Sequence, residues 1–479
     1  MSWIDVSVIV IYLAGIMGLG MYGAKRVKDF ASFSTAGRNL AWPIVFATLA
    51  ASFIGGGFSM GNAEKNFLHG MSRTLALFAF SVQTILVGLF VAPRLQRFRD
   101  CHSVGDIMRR QYGAAAGVLT GVLSIVLCTG NLGAQVSATG KIFDELLGIA
   151  PHWGILIGCT IVVAYSTAGG MWSVVWTDVV QFIFLSVGIP LLLVLAAIKA
   201  GGVGAVMGSP EIAHTHFRLF GDEGVAALAA LAVALLVGET LVPPYVQRAL
   251  IARRPLDARL GAVVAGVFSL LFFAITGAIG VVGRVLYPDA NATSILPRMV
   301  LNVLPAGLSG LVMVAILAII MSSADSFLNA ISVSMVRDFI QPVAGYKIKD
   351  RSALMLGRIL TLVAGTASIL LALAISSVID ILLWSYNFWA PTVVIPLVAS
   401  LFVRKPKAWA ALAAMICGGG VTALWAVASG LGLADGLGWP EALVQNFGLA
   451  SGVAVNLVVY FVVHFALGTA EVGTKTPGH

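Results

Sequence analysis

The chain of 479 residues is 59% hydrophobic and only 10% charged, with a formal net charge of +8. Apolar runs of about 20 residues, the length that crosses a hydrocarbon core, recur from one end to the other. The composition therefore excludes a soluble globular domain and predicts an all-α membrane protein embedded in a lipid bilayer. The excess of Lys and Arg indicates membrane topology rather than a nucleic-acid partner.

Thirteen transmembrane helices are predicted in chain order. They cover 3–24, 41–69, 73–93, 113–147, 152–170, 174–199, 224–252, 259–286, 297–338, 354–376, 378–402, 407–429 and 444–468. Alternate loops then collect most of the 29 Lys and Arg residues on one side, including Arg248, Arg253 and Arg254. The positive-inside rule makes this side cytoplasmic. We expect a multi-pass protein of the plasma membrane, a bacterial inner membrane, with the N-terminus outside and the C-terminus in the cytoplasm.

The second predicted span is interrupted by Gly55, Gly56 and Gly57, with Glu64 and Lys65 following. Non-helical backbone survives in hydrocarbon only where protein or a water-filled cavity covers it, so this break must face inward. The glycines are expected to accept unwound torsions and to let a solute approach the main chain. The alternative is that they only allow close helix packing.

Unwinding at this break frees backbone carbonyls of the preceding residues, including Ala51 and Ile54. Hard cations such as sodium favour oxygen ligands of this kind. The break therefore predicts part of an ion site.

The seventh span is interrupted as well, in "GETLVPPYVQR", where Glu239 precedes Pro243 and Pro244. Each proline removes a backbone donor. The two interrupted spans hold matching places in two five-helix units of opposite topology, and broken helices at such places indicate the substrate site of a secondary transporter. The predicted organisation is 1–40, a first helix and loop; 41–199, the first repeat; 200–223, an extracellular loop; 224–402, the second repeat; and 403–479, two last helices and a tail.

The ninth span carries Ser322, Ser323, Asp325 and Ser326 in the middle of an apolar helix, "MSSADS". Two adjacent hydroxyls together with three freed carbonyls would form a neutral five-oxygen sodium site. The alternative is that the hydroxyls bond back to their own helix. A carboxylate inside the membrane is costly and usually functional.

The sixth span places Asp178 about two turns from its cytoplasmic end, in "GGMWSVVWTDVVQ". Its carboxylate could attract a cation leaving the site or, with Asp325 and Ser326, hold a second ion. An interfacial structural pair is the alternative.

Candidates for contact with an organic solute are polar or aromatic residues near the breaks and in the eleventh span. They are Phe53, Gly55, Gly56, Gly57, Glu64, Asn131, Gln135, Glu239, Trp384, Tyr386 and Asn387. Aromatic side chains of a membrane protein also serve as interface anchors, so the "WSYNFWAP" cluster has two interpretations.

With "GRNL", "AASFIGGG", "GGMWSVVWTDVVQ" and "MSSADS", the chain resembles the sodium:solute symporter family over essentially its whole length. The resemblance is nearest to the branch that contains choline transporters. It implies a LeuT-like fold, a 5+5 inverted repeat with one helix before and two after the core, and sodium-coupled alternating access. Carried over residue by residue, it places the sodium ligands on Ala51, Ile54, Ile319, Ser322 and Ser323, with Asp178 on the ion's exit path.

Two positions depart from the family pattern. Proline-type members have an aspartate where this chain has Phe53, and the aromatic cage of choline-type members corresponds here to Phe53, Asn131 and Val242. Only one of three rings is present, whereas Glu64 and Glu239 favour a cationic or zwitterionic nitrogen compound.

The resulting hypothesis is a secondary active transporter that couples Na⁺ to uptake of a small polar solute such as an amino acid or betaine. The alternative is sodium- or proton-coupled uptake of a small carboxylate or sugar. The seven histidines form no H-x-x-x-H pair, and no Ser-His-Asp arrangement is evident, so an enzyme is not expected. We expect a monomer or a weak oligomer.

Overall fold

The computed structural model describes residues 2–212, 224–239, 241–345, 348–374, 388–433 and 441–466. Within these ranges the regular structure is helical, apart from one backbone bridge between Leu40 and Ala252. The predicted solute contacts Trp384, Tyr386 and Asn387 lie outside the described residues.

Seventeen main helices are described. The first eight are α1 Trp3–Ala24, α2 Phe30–Thr35, α3 Trp42–Phe53, α4 Gly56–His69, α5 Ser72–Leu86, α6 Val104–Tyr112, α7 Ala114–Leu147 and α8 Pro151–Lys199. The others are α9 Gly224–Gly238, α10 Pro243–Ile251, α11 Pro255–Leu286, α12 Ile295–Val303, α13 Leu308–Ser334, α14 Asp350–Ala374, α15 Ile395–Phe402, α16 Ala408–Gly430 and α17 Glu441–Ala466. Shorter helical segments are Ala36–Arg38, Val87–Val91, Ala92–Leu95, Gln96–Phe98, Val203–Met207, Ala292–Ser294, Met335–Ile340, Gln341–Ala344 and Ala390–Val394.

Side-chain caps set several helix starts. Ser2 caps α1 together with Asp5 in a reciprocal capping box, and the Ser103 hydroxyl accepts the Asp106 N–H of α6 at 3.0 Å. These bonds satisfy backbone donors that have no partner inside the helix.

Among the described residues, nine helices are long and apolar enough to cross a membrane, and two further spans are bent pairs. The pair α3 and α4 bends by 57°, and the pair α9 and α10 by 49°. Both interruptions predicted from the sequence are therefore present. The count of thirteen spans stays a prediction, because only part of the region 378–402 is described.

The predicted spans 152–170 and 174–199 follow one another without a gap in α8, and the backbone leaves the helical conformation at Gly170, with φ 49° and ψ −135°. Two helices therefore meet at Gly170, where the first of these predicted spans ends. A Cβ at Gly170 would overlap the Phe33 carbonyl oxygen. This position therefore requires glycine for two reasons, the positive φ and the lack of space for a side chain. The single span 297–338 is divided into α12 and α13, because Pro305 and Gly307 separate them.

Helix α13 forms the centre of the molecule. In its most apolar stretch 94% of the residues are buried, compared with 22% for the last span, Asn446–Ala466. It packs most extensively against α8 and α7. The serines and the aspartate that the sequence singled out therefore lie on the most enclosed helix of the described chain.

Candidate functional site

The first break brings backbone carbonyls to the two adjacent serines of α13. The Ser322 hydroxyl donates to the Ala51 carbonyl at 2.9 Å, and the Ser323 hydroxyl donates to the Ser52 carbonyl at 2.9 Å. Both hydroxyls also lie 3.2 Å from the Ile319 carbonyl of their own helix. The contacts across the break are shorter than those back to the helix, and all five residues are buried. The structure therefore gathers three carbonyls and two hydroxyls at one point.

Four of the five predicted sodium ligands meet at this point. The fifth, Ile54, occupies the bend itself with φ −80° and ψ 59°, and its N–H donates to Ala50. The Ser323 hydroxyl donates to the Ser52 carbonyl and the Ser322 hydroxyl to that of Ala51, so neither donates to the Ile54 carbonyl across the break. The role of Ile54 as a ligand stays a prediction.

The three glycines at the break have different conformations. Gly55 is extended, with φ −66° and ψ 166°, so the expected unwound backbone is present there, whereas Gly56 and Gly57 already belong to α4 and none of the three has a positive φ. A Cβ at Gly55 would lie 3.2 Å from the Ser323 hydroxyl, and one at Gly56 would lie 3.0 Å from the Ile320 side chain. Nothing lies within 4 Å of a Cβ at Gly57. Close approach to α13 explains the first two glycines.

A buried arginine lies directly beside this point. Arg248 of α10 has no exposed surface, and its Nη2 donates to the Ser52 hydroxyl at 2.9 Å and to Asp178 Oδ2 at 3.1 Å. It also donates to the Ser326 hydroxyl, and the Thr48 hydroxyl donates to the same Asp178 oxygen. One guanidinium thus joins α10 to α3, α8 and α13.

The sequence predicts that Arg248 is one of the arginines on the cytoplasmic surface. This prediction is wrong about its surroundings, because Arg248 is fully buried inside the protein. Arg253 and Arg254 follow shortly after it and make the sequence look like the start of a basic loop. The position of Arg248, four residues after Pro244 and within the apolar span, indicates the helix instead, and in the structure Arg248 donates to the Pro244 carbonyl at 3.3 Å.

Asp178, Asp325 and Ser326, predicted to mark a second ion or an exit path, do lie together. Asp325 is fully buried and accepts the Tyr165 hydroxyl at 2.7 Å and the Thr177 hydroxyl at 3.2 Å. The Ser326 hydroxyl lies 3.3 Å from the other carboxylate oxygen of Asp325, Oδ1. The interfacial pair considered as an alternative for Asp178 is not what forms, because its ion pair with Arg248 is wholly buried.

Two of the predicted solute contacts, Phe53 and Glu239, line one narrow cavity between α3, α5, the second break and α11. Its volume is ≈ 30 Å³, far below the roughly 300–1,000 Å³ of organic ligand sites. Gln83 and Tyr245 line it too, and no basic side chain does so among the described residues. An organic solute could enter only if the surrounding helices separate.

The remaining candidates lie elsewhere. Gln135 of α7 faces the first break: a Cβ at Gly55 would lie 3.5 Å from its amide nitrogen, and one at Gly56 would lie 3.4 Å from its amide oxygen. The Asn131 amide donates to the Leu127 carbonyl of its own helix at 3.0 Å. Glu64 is half-buried on α4 and is not among the residues that line the cavity.

An aromatic cluster around Phe53 is not predicted from the sequence. The Phe53 ring meets the edges or faces of Phe80 and Tyr245, with centroids 5.5 Å and 6.2 Å away. Phe58 stacks on Phe80 at 5.0 Å, and Phe273 lies 6.3 Å from the same ring. These five rings come from five separate helices, α3, α4, α5, α10 and α11, so no sequence spacing indicates them.

Known proteins resemble this chain in sequence and in fold. The profile of the sodium:solute symporter family matches residues 33–418. The chain belongs to the sodium:solute symporter family. It is accordingly a membrane transporter rather than an enzyme, with sodium as its coupling ion.

Several characterised relatives are similar over most of their length. Sodium/proline symporter 2 of Staphylococcus saprophyticus is 26% identical over 447 residues, which are 89% of this chain and 86% of the relative. High affinity choline transporter 1 of Homo sapiens is 26% identical over 442 residues, 86% and 75% of the two chains. The sodium/glucose cotransporter of Vibrio parahaemolyticus is 25% identical over 413 residues, 78% and 75%. Three different solutes appear in these names, so similarity alone does not identify the solute here.

Solved structures agree on the fold. A Na⁺-coupled sialic acid symporter in a substrate-bound outward-open state superposes with a TM-score of 0.83 at 19% identity, covering 97% of this chain and 98% of that one. A transporter of the nucleobase-cation-symport-1 family gives 0.56 at 14% identity, covering 90% and 94%. The LeuT-like fold expected from the sequence is confirmed.

Proposed function

We propose that this symporter binds sodium where Ser322 and Ser323 meet the first break, and that it carries a small cationic or zwitterionic nitrogen compound. The observation that carries the proposal is the convergence of both hydroxyls on the carbonyls of Ala51, Ser52 and Ile319. Each hydroxyl can rotate its hydrogen away and present a lone pair. Oxygen ligands without a full charge suit a hard monovalent cation that must later leave.

The residues around Phe53 support a positively charged group on the solute. Phe53 and Tyr245 present aromatic rings to a cavity that also contains Glu239, and ring faces attract organic cations. No basic residue lines the cavity among the described residues, which disfavours an anion. The second candidate, a small carboxylate or sugar, would depend on hydrogen bonds from Gln83, Thr84 and Gln135 instead.

The inverted-repeat organisation of 41–199 and 224–402 is part of the same proposal. The segment before α3 and the segment after α10 lie side by side: Leu40 N–H donates to the Ile251 carbonyl at 3.2 Å, and Arg253 N–H donates to the Leu40 carbonyl at 3.0 Å. The first broken helix thus begins at the end where the second finishes, as two antiparallel repeats require. The outside N-terminus, cytoplasmic C-terminus, bacterial inner membrane and monomeric or weakly associated state are proposed on the sequence argument alone.

Sodium supplies enough energy for uptake. One elementary charge moving down 100 mV is worth about 2.3 kcal/mol, which corresponds to about 50-fold accumulation of a neutral solute. A second ion at Asp178, Asp325 and Ser326 would square that factor for the same solute, but it would have to share these oxygens with the Arg248 guanidinium.

The test is solute uptake into proteoliposomes with and without a sodium gradient, using amino acids, betaines, guanidino compounds, carboxylates and sugars. We expect sodium to drive uptake of a nitrogen compound. Ser322→Ala with Ser323→Ala should lower sodium-driven uptake to the level measured without sodium, because two of five oxygens are removed.

Ser332→Ala is the matched control, since this serine of the same helix donates to Gly357 at 2.7 Å, away from the break. Unchanged sodium dependence in the double variant would contradict the proposed ion site. A sugar or carboxylate as the best solute would contradict the proposed solute class and leave the ion site standing.

A further inference from the structure

A second, larger cavity opens at the end of the molecule that the arginine distribution predicts to be cytoplasmic. Its volume is ≈ 400 Å³, and it is lined by Asp100, Cys101, Asp106, Arg109, Arg110 and Arg337. Arg109 and Arg110 lie in the last turn of α6, and Arg337 lies in the segment that continues α13. The cavity therefore lies between two separate helical elements.

Positive charge exceeds negative charge on its walls. Asp106 serves two guanidiniums, because it contacts Arg109 directly and lies 3.5 Å from Arg337 Nε. Asp100 is 90% exposed and lies 3.4 Å from Arg110, itself 51% exposed, and such exposed pairs contribute little. Three guanidiniums face two carboxylates.

The other acidic groups nearby do not remove this excess from the walls. Burial raises the pKa of the Cys101 thiol to about 11, so it carries no charge at neutral pH. Asp338 is fully buried behind α6 and α7, where Gly105 and Gly121 make room for it and the Ser103 hydroxyl donates to it. It does not line the cavity.

We propose that this cavity binds a phosphate-bearing anion, either the headgroup of an anionic phospholipid or a free phosphate ion. Guanidinium groups match phosphate oxygens in geometry and charge, and clustered arginines are the usual way in which proteins bind them. Basic pockets between transmembrane helices on the cytoplasmic side bind anionic headgroups for this reason. Arg110 is the group best placed to bind, because the ion pair that it forms with Asp100 is exposed and long.

Such an anion would act on the transport cycle through α13. Arg337 follows Ser322 by fifteen residues along a helix that continues from Leu308 to Ala344. At about 1.5 Å per residue the two lie roughly 22 Å apart on one rigid element. An anion held between Arg110 and Arg337 would fasten this element to α6 and so stabilise the arrangement seen here.

The test is thermal unfolding of the purified full chain in neutral detergent, with three additives titrated separately. These are short-chain phosphatidylglycerol, short-chain phosphatidylcholine as the uncharged lipid, and inorganic phosphate. We expect phosphatidylglycerol to raise Tm and phosphatidylcholine not to. Arg110→Gln and, separately, Arg337→Gln should each raise the half-maximal concentration about tenfold, the loss expected for one charged hydrogen bond.

Arg254→Gln is the matched control, because this arginine is 61% exposed on the same predicted face but lies outside the cavity. A shift by both phosphatidylglycerol and phosphate supports a site that takes free phosphate, and a shift by the lipid alone supports a headgroup site. Equal weakening in Arg254→Gln would overturn the proposal in favour of diffuse surface charge. Absence of any shift in the unchanged protein would overturn it too.

Discussion

The two broken helices are interrupted in different ways and provide different chemistry. The first bends by 57° at Ile54 and Gly55 and contributes backbone carbonyls to the serines of α13. The second bends by 49° where Leu241 takes a left-handed φ of 56° before two prolines, and it contributes side chains, Glu239 and Arg248. The first break is thus a source of neutral oxygens, and the second a source of full charges.

Under the proposed function, this division matches what each ligand requires. A small ion that must bind and leave suits dipoles fixed by the backbone, whereas an organic cation is recognised by a carboxylate and ring faces. Arg248 connects the two breaks, because it reaches from α10 to the Ser52 hydroxyl of α3. If either broken helix moves, the hydrogen bond between Arg248 and Ser52 must therefore break, or the other helix must move with it.

The largest expected effect comes from removing that connection. Arg248→Met leaves Asp178 charged, buried and without its cation, which should lower the free energy of unfolding by about 3–5 kcal/mol. Arg248→Met combined with Asp178→Asn should recover more than half of the loss. Denaturant or thermal unfolding in detergent measures both.

Arg254→Met serves as the control, because its ion pair with Asp257 involves a largely exposed guanidinium and should cost under about 1 kcal/mol. If Arg254→Met lowered the free energy of unfolding as much as Arg248→Met does, burial of the Arg248–Asp178 ion pair would not be the cause of the destabilisation.

The next effect concerns the charge at the second break. Glu239→Gln should raise the half-saturating concentration of a cationic solute about 10- to 100-fold, the value of one hydrogen-bonded charge. The half-saturating sodium concentration should change little, since Glu239 is not part of the oxygen cluster at Ser322. Uptake kinetics at varied solute and sodium separate the two.

Glu64→Gln is the comparison variant, because the sequence singled out both glutamates and only Glu239 lines the cavity. Loss of solute affinity in Glu64→Gln with none in Glu239→Gln would reverse the assignment.

The smallest effect distinguishes neighbouring glycines at the first break. Gly56→Ala places a methyl group 3.0 Å from Ile320 and should cost about 1–3 kcal/mol through overpacking. Gly57→Ala meets nothing within 4 Å and lies inside α4, so it should be neutral or stabilise by up to about 1 kcal/mol. Thermal unfolding in detergent tests the pair, and equal effects would show that torsion rather than space governs this segment.

Much of the fold could be read from the sequence. Apolar length located the spans, and three glycines and two prolines located both bends, because these features act locally and need no neighbour to be recognised. Adjacent serines and a carboxylate on an apolar helix indicated α13, since polar groups in hydrocarbon are costly unless they serve a purpose. The eleventh predicted span, 378–402, and the solute contacts at Trp384, Tyr386 and Asn387 stay predictions.

The sequence by itself determined a membrane protein with two interrupted helices and a pair of hydroxyls suited to an ion. Only the tertiary structure decided which carbonyls those hydroxyls meet, that Arg248 is buried against Asp178, and that Phe80 and Tyr245 surround Phe53. The reason is physical: helix propensity and hydropathy act between near neighbours along the chain. The charge pairing and ring contacts of this site join residues more than twenty positions apart on helices whose rotation is fixed only by packing.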